Sequence, residues 1–308
     1  MNVIEVKNLI KKYKDLTAVN DISFEVKEGE IFGLLGENGA GKTTTLEMIE
    51  GLRRPTSGTI EILGNELHNG NNNTVKEQIG VQLQSSAYYN FLNLEEILDL
   101  FGSFYSKHQD PHKLLKMVDL EDKTKSLIGS LSGGQKQRFS IVASLVNNPK
   151  IVFLDEPTTG LDPVARRHLW DLISDIKSQG KTIILTTHYM EEAEILCDRI
   201  AIMDQGKIVA MGETHKLIEQ TEKPFKMDFI SHKISNSIIE KISKLGIVDK
   251  VLGKSGHYEA KFKNQSDLNV AIGLIQKEDP ESFTVGRASL EDLFIELTGK
   301  RISEGENA

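Results

Sequence analysis

Apolar and polar side chains alternate at the start of the chain. Val3–Val6 and Ile22–Val26 have the period of two expected of half-buried strands. Ile31-Phe32-Gly33-Leu34-Leu35 is a continuous apolar run, which predicts a strand covered on both faces. A helix should start in the glycine-rich stretch that follows and run through Thr44–Glu50, with Gly51 and Pro55 stopping it. His68–Thr74 is polar and aperiodic, as a loop is. From Asn93 to Asn148 the spacing turns helical. Leu94, Ile97, Leu98 and Phe101 fall on one face, and Leu114, Leu115 and Val118 on another. Two further apolar runs, Ile151–Leu154 and Thr182–Leu185, flank a helical stretch from about Pro163 to Lys177. Strand, helix, strand in that order indicates a parallel α/β core.

The pattern changes near Thr221. A strand (Phe225–Ile230), a helix (Asn236–Leu245), two strands (Val248–Leu252 and Tyr258–Phe262), a helix (Leu268–Gln276), a strand (Ser282–Val285) and a helix (Ser289–Leu297) are expected in turn. Their order is that of a ferredoxin-like α+β unit, and Gly253-Lys254-Ser255-Gly256 suits the hairpin turn. The expected organisation is therefore an α/β domain over 1–220, with a helical subdomain at about 85–148. An accessory α+β domain follows over 221–302, and then a polar, disordered tail at 303–308.

Composition narrows the partners. A formal net charge of −8 and a pI near 5.6 argue against nucleic acid. Cys197 is the single cysteine, so no intramolecular disulfide can form, and it reads as a small buried hydrophobe. The start, Met1-Asn2-Val3-Ile4-Glu5-Val6-Lys7, lacks a basic stretch followed by an apolar run. No apolar run approaches the roughly 20 residues that span a bilayer, so the chain is not expected to cross a membrane by itself.

Three stretches carry chemistry. Gly36-Glu37-Asn38-Gly39-Ala40-Gly41-Lys42-Thr43 has the form of a phosphate-binding loop, placed between a buried strand and a helix. Its glycines let successive N–H groups turn inward on phosphates, and Lys42 adds a point charge. In Ile151–Glu156, a buried strand delivers Asp155 and Glu156 at its C-terminal end, where ligands sit in open α/β sheets. In Leu131-Ser132-Gly133-Gly134-Gln135, a second glycine-rich turn opens a helix and also suits an anion. Two phosphate-directed elements thus accompany only one set of the remaining site residues.

These stretches, in this order and with His188 after Ile183–Thr187, resemble the ATP-binding cassette family over about Val3 to Glu219. The resemblance implies a P-loop NTPase core: a parallel sheet with an antiparallel β subdomain and a helical subdomain. It implies hydrolysis of ATP with Mg²⁺. Tyr13 would stack on adenine, and Gly36, Glu37, Asn38, Gly39, Ala40, Gly41, Lys42, Thr43 and Thr44 would hold the phosphates. Thr43, Gln84 and Asp155 would serve the metal, and Glu156, His188 and Gln84 the reacting water and γ-phosphate. Gln82 is a rival to Gln84, which stands directly before Ser-Ser-Ala-Tyr-Tyr as the family pattern has it. Ser132, Gly133, Gly134, Gln135 and Asp162 would act in trans, on the nucleotide held by a second subunit. Asp162 before Pro163 also suits the N-cap of the next helix. Trp170 reads as core packing.

The implied partners are transmembrane permease subunits, docked near Ser85–Phe91, and a second ATP-binding subunit. Both a homodimer and a heterodimer fit, and no nucleic acid is expected. The implied location is cytoplasmic, on the inner face of the cell membrane. Ala288–Gly299 resembles the ending of bacterial drug- and antibiotic-resistance exporters. Physically it is an amphipathic helix with Leu290, Leu293, Phe294 and Leu297 on one face, capped by Ser289 and Gly299. It could pack on its own domain, or regulate or stabilise a dimer. An importer ATPase is the alternative reading. A soluble non-transport cassette ATPase fits less well, because the chain has one cassette and no heptad run.

Overall fold

The computed structural model describes residues 1–67, 73–82, 88–251 and 255–300. The chain divides into two compact units, 1–213 and 214–301.

The first unit opens with β1 (Asn2–Tyr13) and β2 (Leu16–Lys27), a hairpin longer than the short alternating stretches suggested. β3 (Ile31–Leu35) leads into α1 (Lys42–Ile49), followed by β4 (Ser57–Ile62), β5 (Asn65–Glu66), α2 (Asn73–Lys76) and β6 (Ile79–Gln82). Three helices follow: α3 (Leu94–Gly102), α4 (Pro111–Lys116) and α5 (Gly133–Ala143). Then come β7 (Ile151–Asp155), α6 (Pro163–Ser178), β8 (Thr182–Thr187), α7 (Met190–Leu196), β9 (Arg199–Asp204) and β10 (Lys207–Glu213).

Two sheets result. The first is antiparallel, in the order β2-β1-β4-β5. The second runs β10-β9-β3-β8-β7-β6, parallel from β9 to β6, with β10 returning as an antiparallel edge. β3, β7 and β8 are buried at every position, as strands with both faces covered must be. The core lies between the two sheets around α1. Phe24 of β2 stacks on Phe32 of β3 with ring centroids 5.3 Å apart. Leu94, Ile97 and Leu98 of α3 are buried, and Asn93 and Glu96 cap that helix reciprocally.

This topology positions the site. β3, β8 and β7 are neighbours, so the loops leaving their C-terminal ends converge. Their register sets Leu35 beside Thr187 and Asp155 beside Thr186.

The second unit comprises α8 (Thr214–Glu219), β11 (Phe225–Ile230), α9 (Asn236–Ser243), β12 (Ile247–Lys250), β13 (His257–Phe262), α10 (Gln265–Gln276), β14 (Ser282–Arg287) and α11 (Leu290–Thr298). Its sheet is antiparallel throughout, in the order β12-β13-β11-β14. Met227, Phe229, Ala260 and Phe262 pack with Leu268, Ala271 and Ile275 of α10 and Ile242 of α9. The alternate positions of β11 and β13 include Lys226, Asp228, Glu259 and Lys261. Lys226 and Lys261 pair with Glu259 at 3.0 and 3.1 Å, and both reach Asp292 of α11. Asp292 also completes a capping box with Ser289, and Gly299 closes the helix at φ 71°. One acid therefore both starts α11 and fastens it to the sheet. Leu297, expected on the apolar face, remains 41% exposed. The division at Glu213 falls earlier than the expected boundary at 220, because α8 packs with α11 and buries Leu217 within the second unit. Gly253 and Lys254 of the expected turn, and the tail at 303–308, lie outside the described residues.

Candidate functional site

The loop from Gly36 to Gly41 reverses the chain between β3 and α1. Gly39 and Gly41 take φ values of 84° and 101°, which side chains other than glycine rarely adopt. A Cβ on Gly41 would also come within 2.5 Å of the Ala18 carbonyl oxygen. The loop wraps the Lys42 ammonium, which donates to the carbonyls of Gly36 at 2.8 Å and Glu37 at 3.1 Å. Burial pushes Lys42 below its ordinary value, opposed by the carboxylates of Glu156 and Asp155.

Asp155 ends β7. Its Oδ1 accepts from Thr43 Oγ1 at 3.3 Å and from Thr186 Oγ1 of β8. Burial raises its carboxyl and Glu156 adds to the rise, while the two threonine hydroxyls oppose it. Glu156 follows with φ 48°, a left-handed conformation that is strained for a residue with a side chain. Its N–H donates to Thr186 Oγ1 at 3.0 Å, which helps to hold the turn.

The Glu156 carboxylate is the hub of the site. Oε1 lies 3.3 Å from Lys42 Nζ. Oε2 lies 3.4 Å from His188 Nδ1 and accepts from Thr159 Oγ1 at 3.2 Å. His188, with Lys42 second, pulls the Glu156 pKa down to about 2 against the opposing effect of burial. Glu156 is therefore ionised at neutral pH.

These groups open onto a cleft of about 860 Å³. Tyr13, Asn38, Gly39, Gly41, Lys42, Thr43, Thr44, Glu156 and His188 all line it. Ten of the expected residues in or beside the phosphate loop, and both acids of β7's end, are thus adjacent in the chain or in space. The Tyr13 ring carries Lys11 Nζ 5.1 Å and Arg53 Cζ 5.5 Å from its centroid.

The remaining expected residues stand apart. Ser132 caps α5 and accepts from Gln135 N–H at 3.3 Å, while Gln135 Oε1 accepts from Ser132 N–H at 3.0 Å. Asp162 caps α6 through two bonds of 2.9 Å, from the Val164 and Ala165 N–H groups. Among the described residues, Ser132, Gly133, Gly134, Gln135 and Asp162 do not line the cleft. Gln84 lies outside the described residues, and Gln82 is buried at the end of β6. The resemblance places Thr159 in the loop Thr159–Asp162 that links two sites, not at the Glu156 carboxylate it meets, and it gives Thr186 no role. Their signal was their place beside recognised residues: Thr159 three after Glu156, Thr186 two before His188.

The donor set suits Mg²⁺. Thr43 and Asp155 offer hard oxygen atoms side by side, and Mg²⁺ characteristically takes one or two carboxylates plus phosphate oxygens.

Fold and cleft together define a phosphate-loop ATPase of the α/β class. Residues 19–159 match the profile of the ABC transporter family. The chain is 35% identical over 306 residues to the Nod factor export ATP-binding protein I of Burkholderia lata, covering 98% of each. It is 34% identical over 312 residues to the linearmycin resistance ATP-binding protein of Bacillus subtilis, covering 98% of this chain and 100% of that one. Among solved structures, an ATP-binding cassette determined as a dimer in a post-hydrolysis state with ADP and Pi superposes with a TM-score of 0.62. The identity is 27%, covering 68% of this chain and 98% of that one. The chain belongs to the ABC transporter family and is one of its ATPases.

Proposed function

We propose that this chain is the ATP-hydrolysing subunit that powers an exporter through separate membrane subunits. The observation that carries the hydrolytic part is the Glu156 hub, where one ionised carboxylate meets the phosphate-loop lysine and His188 at the mouth of the cleft. Phosphoryl transfer requires little of the protein beyond positioning and charge stabilisation. In this reading Lys42 and the loop N–H groups hold the β- and γ-phosphates, and Tyr13 receives the adenine. Thr43 and Asp155, with Gln84, hold Mg²⁺, which supplies charge neutralisation when bound. Glu156 orients the attacking water and accepts its proton, and His188 contacts the γ-phosphate.

Export is supported by the two relatives, whose names are those of a Nod factor exporter and a linearmycin resistance protein. No helix of the described residues is long and apolar enough to cross a membrane, and in this reading separate membrane subunits form the transport path. Tyr89 and Phe91, 54% and 75% exposed, offer an apolar surface for them at the inner face of the membrane. Ser132–Gln135 and Asp162 serve the nucleotide of a second ATP-binding subunit. Their absence from this chain's own cleft, and the dimeric relative, support that arrangement. The strand order and helix placement of residues 225–287 support a ferredoxin-like reading of the second unit.

The test is Mg²⁺-dependent ATP hydrolysis by the purified chain and by Glu156→Gln. Wild-type turnover, lost in the variant while ATP binding persists, is the expected result. Hydrolysis at the normal rate in the variant contradicts the role given to Glu156.

A further inference from the structure

His188 Nδ1 lies 3.4 Å from Glu156 Oε2. One polar contact does not fix the plane of an imidazole, which can still turn about the line of that contact. The residue that follows departs from a local rule. Tyr189 is the N-cap of α7, a position that favours Ser, Thr, Asp or Asn because their side-chain oxygen accepts a free backbone N–H, and its own side chain forms no such bond. Its ring lies instead against the His188 ring, with centroids 4.2 Å apart and planes at 39°. The Tyr189 N–H donates to Thr187 Oγ1 at 2.9 Å, so the backbone is held on both sides of the histidine.

The Tyr189 ring is held in turn from α6. The Arg166 guanidinium lies 4.3 Å from its centroid, within cation–π range. Arg166 stands near the start of that helix, where its N–H donates to the Asp162 carbonyl at 2.9 Å. Its Nε is buried with no hydrogen-bond partner among the described residues. An unmatched buried Nε is a cost, and it is tolerated where the guanidinium is engaged through its face. α6 and α7 are fastened to each other, because Trp170 Nε1 donates to the buried Glu192 Oε1 at 3.2 Å. Guanidinium, phenol ring and imidazole therefore make a continuous row of contacts that ends on Glu156.

We propose that Tyr189 is a positioning residue for His188, with Arg166 holding the Tyr189 ring in place. The row fixes the plane of the imidazole, so that Nδ1 meets Glu156 while the ring lines the cleft. The inference rests on the role proposed above for His188. Tyr189 also lines the cleft, so the experiment must separate positioning from direct contact with nucleotide.

The test is steady-state ATP hydrolysis by the full chain, comparing wild type with Tyr189→Leu, Tyr189→Phe, Arg166→Met, His188→Ala and the double variant Tyr189→Leu/His188→Ala. In Tyr189→Leu, kcat should fall about 10-fold, with KM for ATP changed less than about 3-fold, because a misplaced reacting group costs rate rather than binding. Tyr189→Phe keeps the ring and should restore turnover to within about 2-fold of wild type. Arg166→Met removes the charge, keeps the length and touches the other end of the row. It should reproduce the kcat loss at a smaller size, and it probes the row independently should Tyr189→Leu fail to fold. The double variant should be no slower than His188→Ala, since residues acting as one unit are non-additive. Wild-type turnover in folded Tyr189→Leu or Arg166→Met overturns the inference. So does a rise in KM alone, which would make Tyr189 a nucleotide contact, a loss in Tyr189→Phe equal to that in Tyr189→Leu, or losses in Tyr189→Leu and His188→Ala that simply multiply. Failure of the parent reading looks different: His188→Ala would then hydrolyse ATP normally, whatever Tyr189 does.

Discussion

Lys42 Nζ lies 3.3 Å from Glu156 Oε1, with side-chain exposures of 4% and 6%. The phosphate loop and the Glu156 carboxylate are thus one electrostatic unit. Removing one member of a buried pair leaves the other uncompensated, at a cost of about 3 kcal/mol or more. Lys42→Ala should therefore lose both stability and nucleotide. Thermal unfolding and calorimetric titration with ATP should show a lower Tm and an affinity reduced at least about 10-fold, since a phosphate-binding lysine is gone. Unchanged affinity would remove Lys42 from the site.

The same unit sets an acid limb. Glu156 titrates near 2 in the folded chain, against an ordinary value of 4.5. A carboxyl with a depressed folded pKa gives stability that is complete above the unfolded value and is lost as pH falls toward the folded one. The window is therefore about pH 4.5 down to 2, and the contribution is on the order of 3 kcal/mol. Glu156→Gln should flatten the dependence of unfolding free energy on pH across that window. A wild-type slope in the variant would assign the acid limb to other carboxylates.

Glu50, at the C-terminal end of α1, has the opposite sign. Burial pushes its carboxyl up to about 8, with Asp155 and Glu47 adding to the shift, and its Oε1 has no hydrogen-bond partner among the described residues. The native state keeps a proton that the unfolded chain releases above about pH 4.5, so Glu50 lowers stability as pH rises from there to about 8. Glu50→Gln should stabilise the chain at pH 7 by on the order of 3 kcal/mol and have little effect at pH 4. Calorimetric unfolding at the two pH values measures the difference, and an equal Tm shift at both would contradict the assignment.

Gly41 tests the loop's backbone. At φ 101°, with the Ala18 carbonyl oxygen 2.5 Å from where a Cβ would sit, alanine must move the loop. The strain alone is about 1–3 kcal/mol. Gly41→Ala should abolish measurable ATP binding by calorimetry, while circular dichroism retains the wild-type helix content. Normal binding would mean the loop tolerates a different path.

The residues that could be read directly from the sequence are those fixed by local context. The phosphate loop sits between a five-residue buried strand and a helix, and Asp155 and Glu156 follow a run of four apolar residues. Each such arrangement is visible within a dozen positions. Glu50 and Glu192 had no such signal. Their amphipathic-looking helix positions say nothing of burial, which arises only when α1 meets β7 and when α7 packs against α6. The division at Glu213 precedes the expected boundary at 220 for the same reason: α8 continues the local pattern of the first unit but packs with α11, distant in sequence. Trp170 is buried, as core packing requires, and its indole N–H donates to Glu192 Oε1.

In the proposed dimer each ATP site is built from the phosphate loop of one subunit and the Ser132–Gln135 turn of another. Ser132→Ala and Lys42→Ala should each be inactive alone. Mixed in equal amounts and exchanged before assay, they should recover ATP hydrolysis to about a quarter of wild type. Half of the dimers would be mixed, and each mixed dimer would have one intact site of two. A mixture no more active than its two components would mean that Ser132 serves its own chain and that no site is shared between subunits.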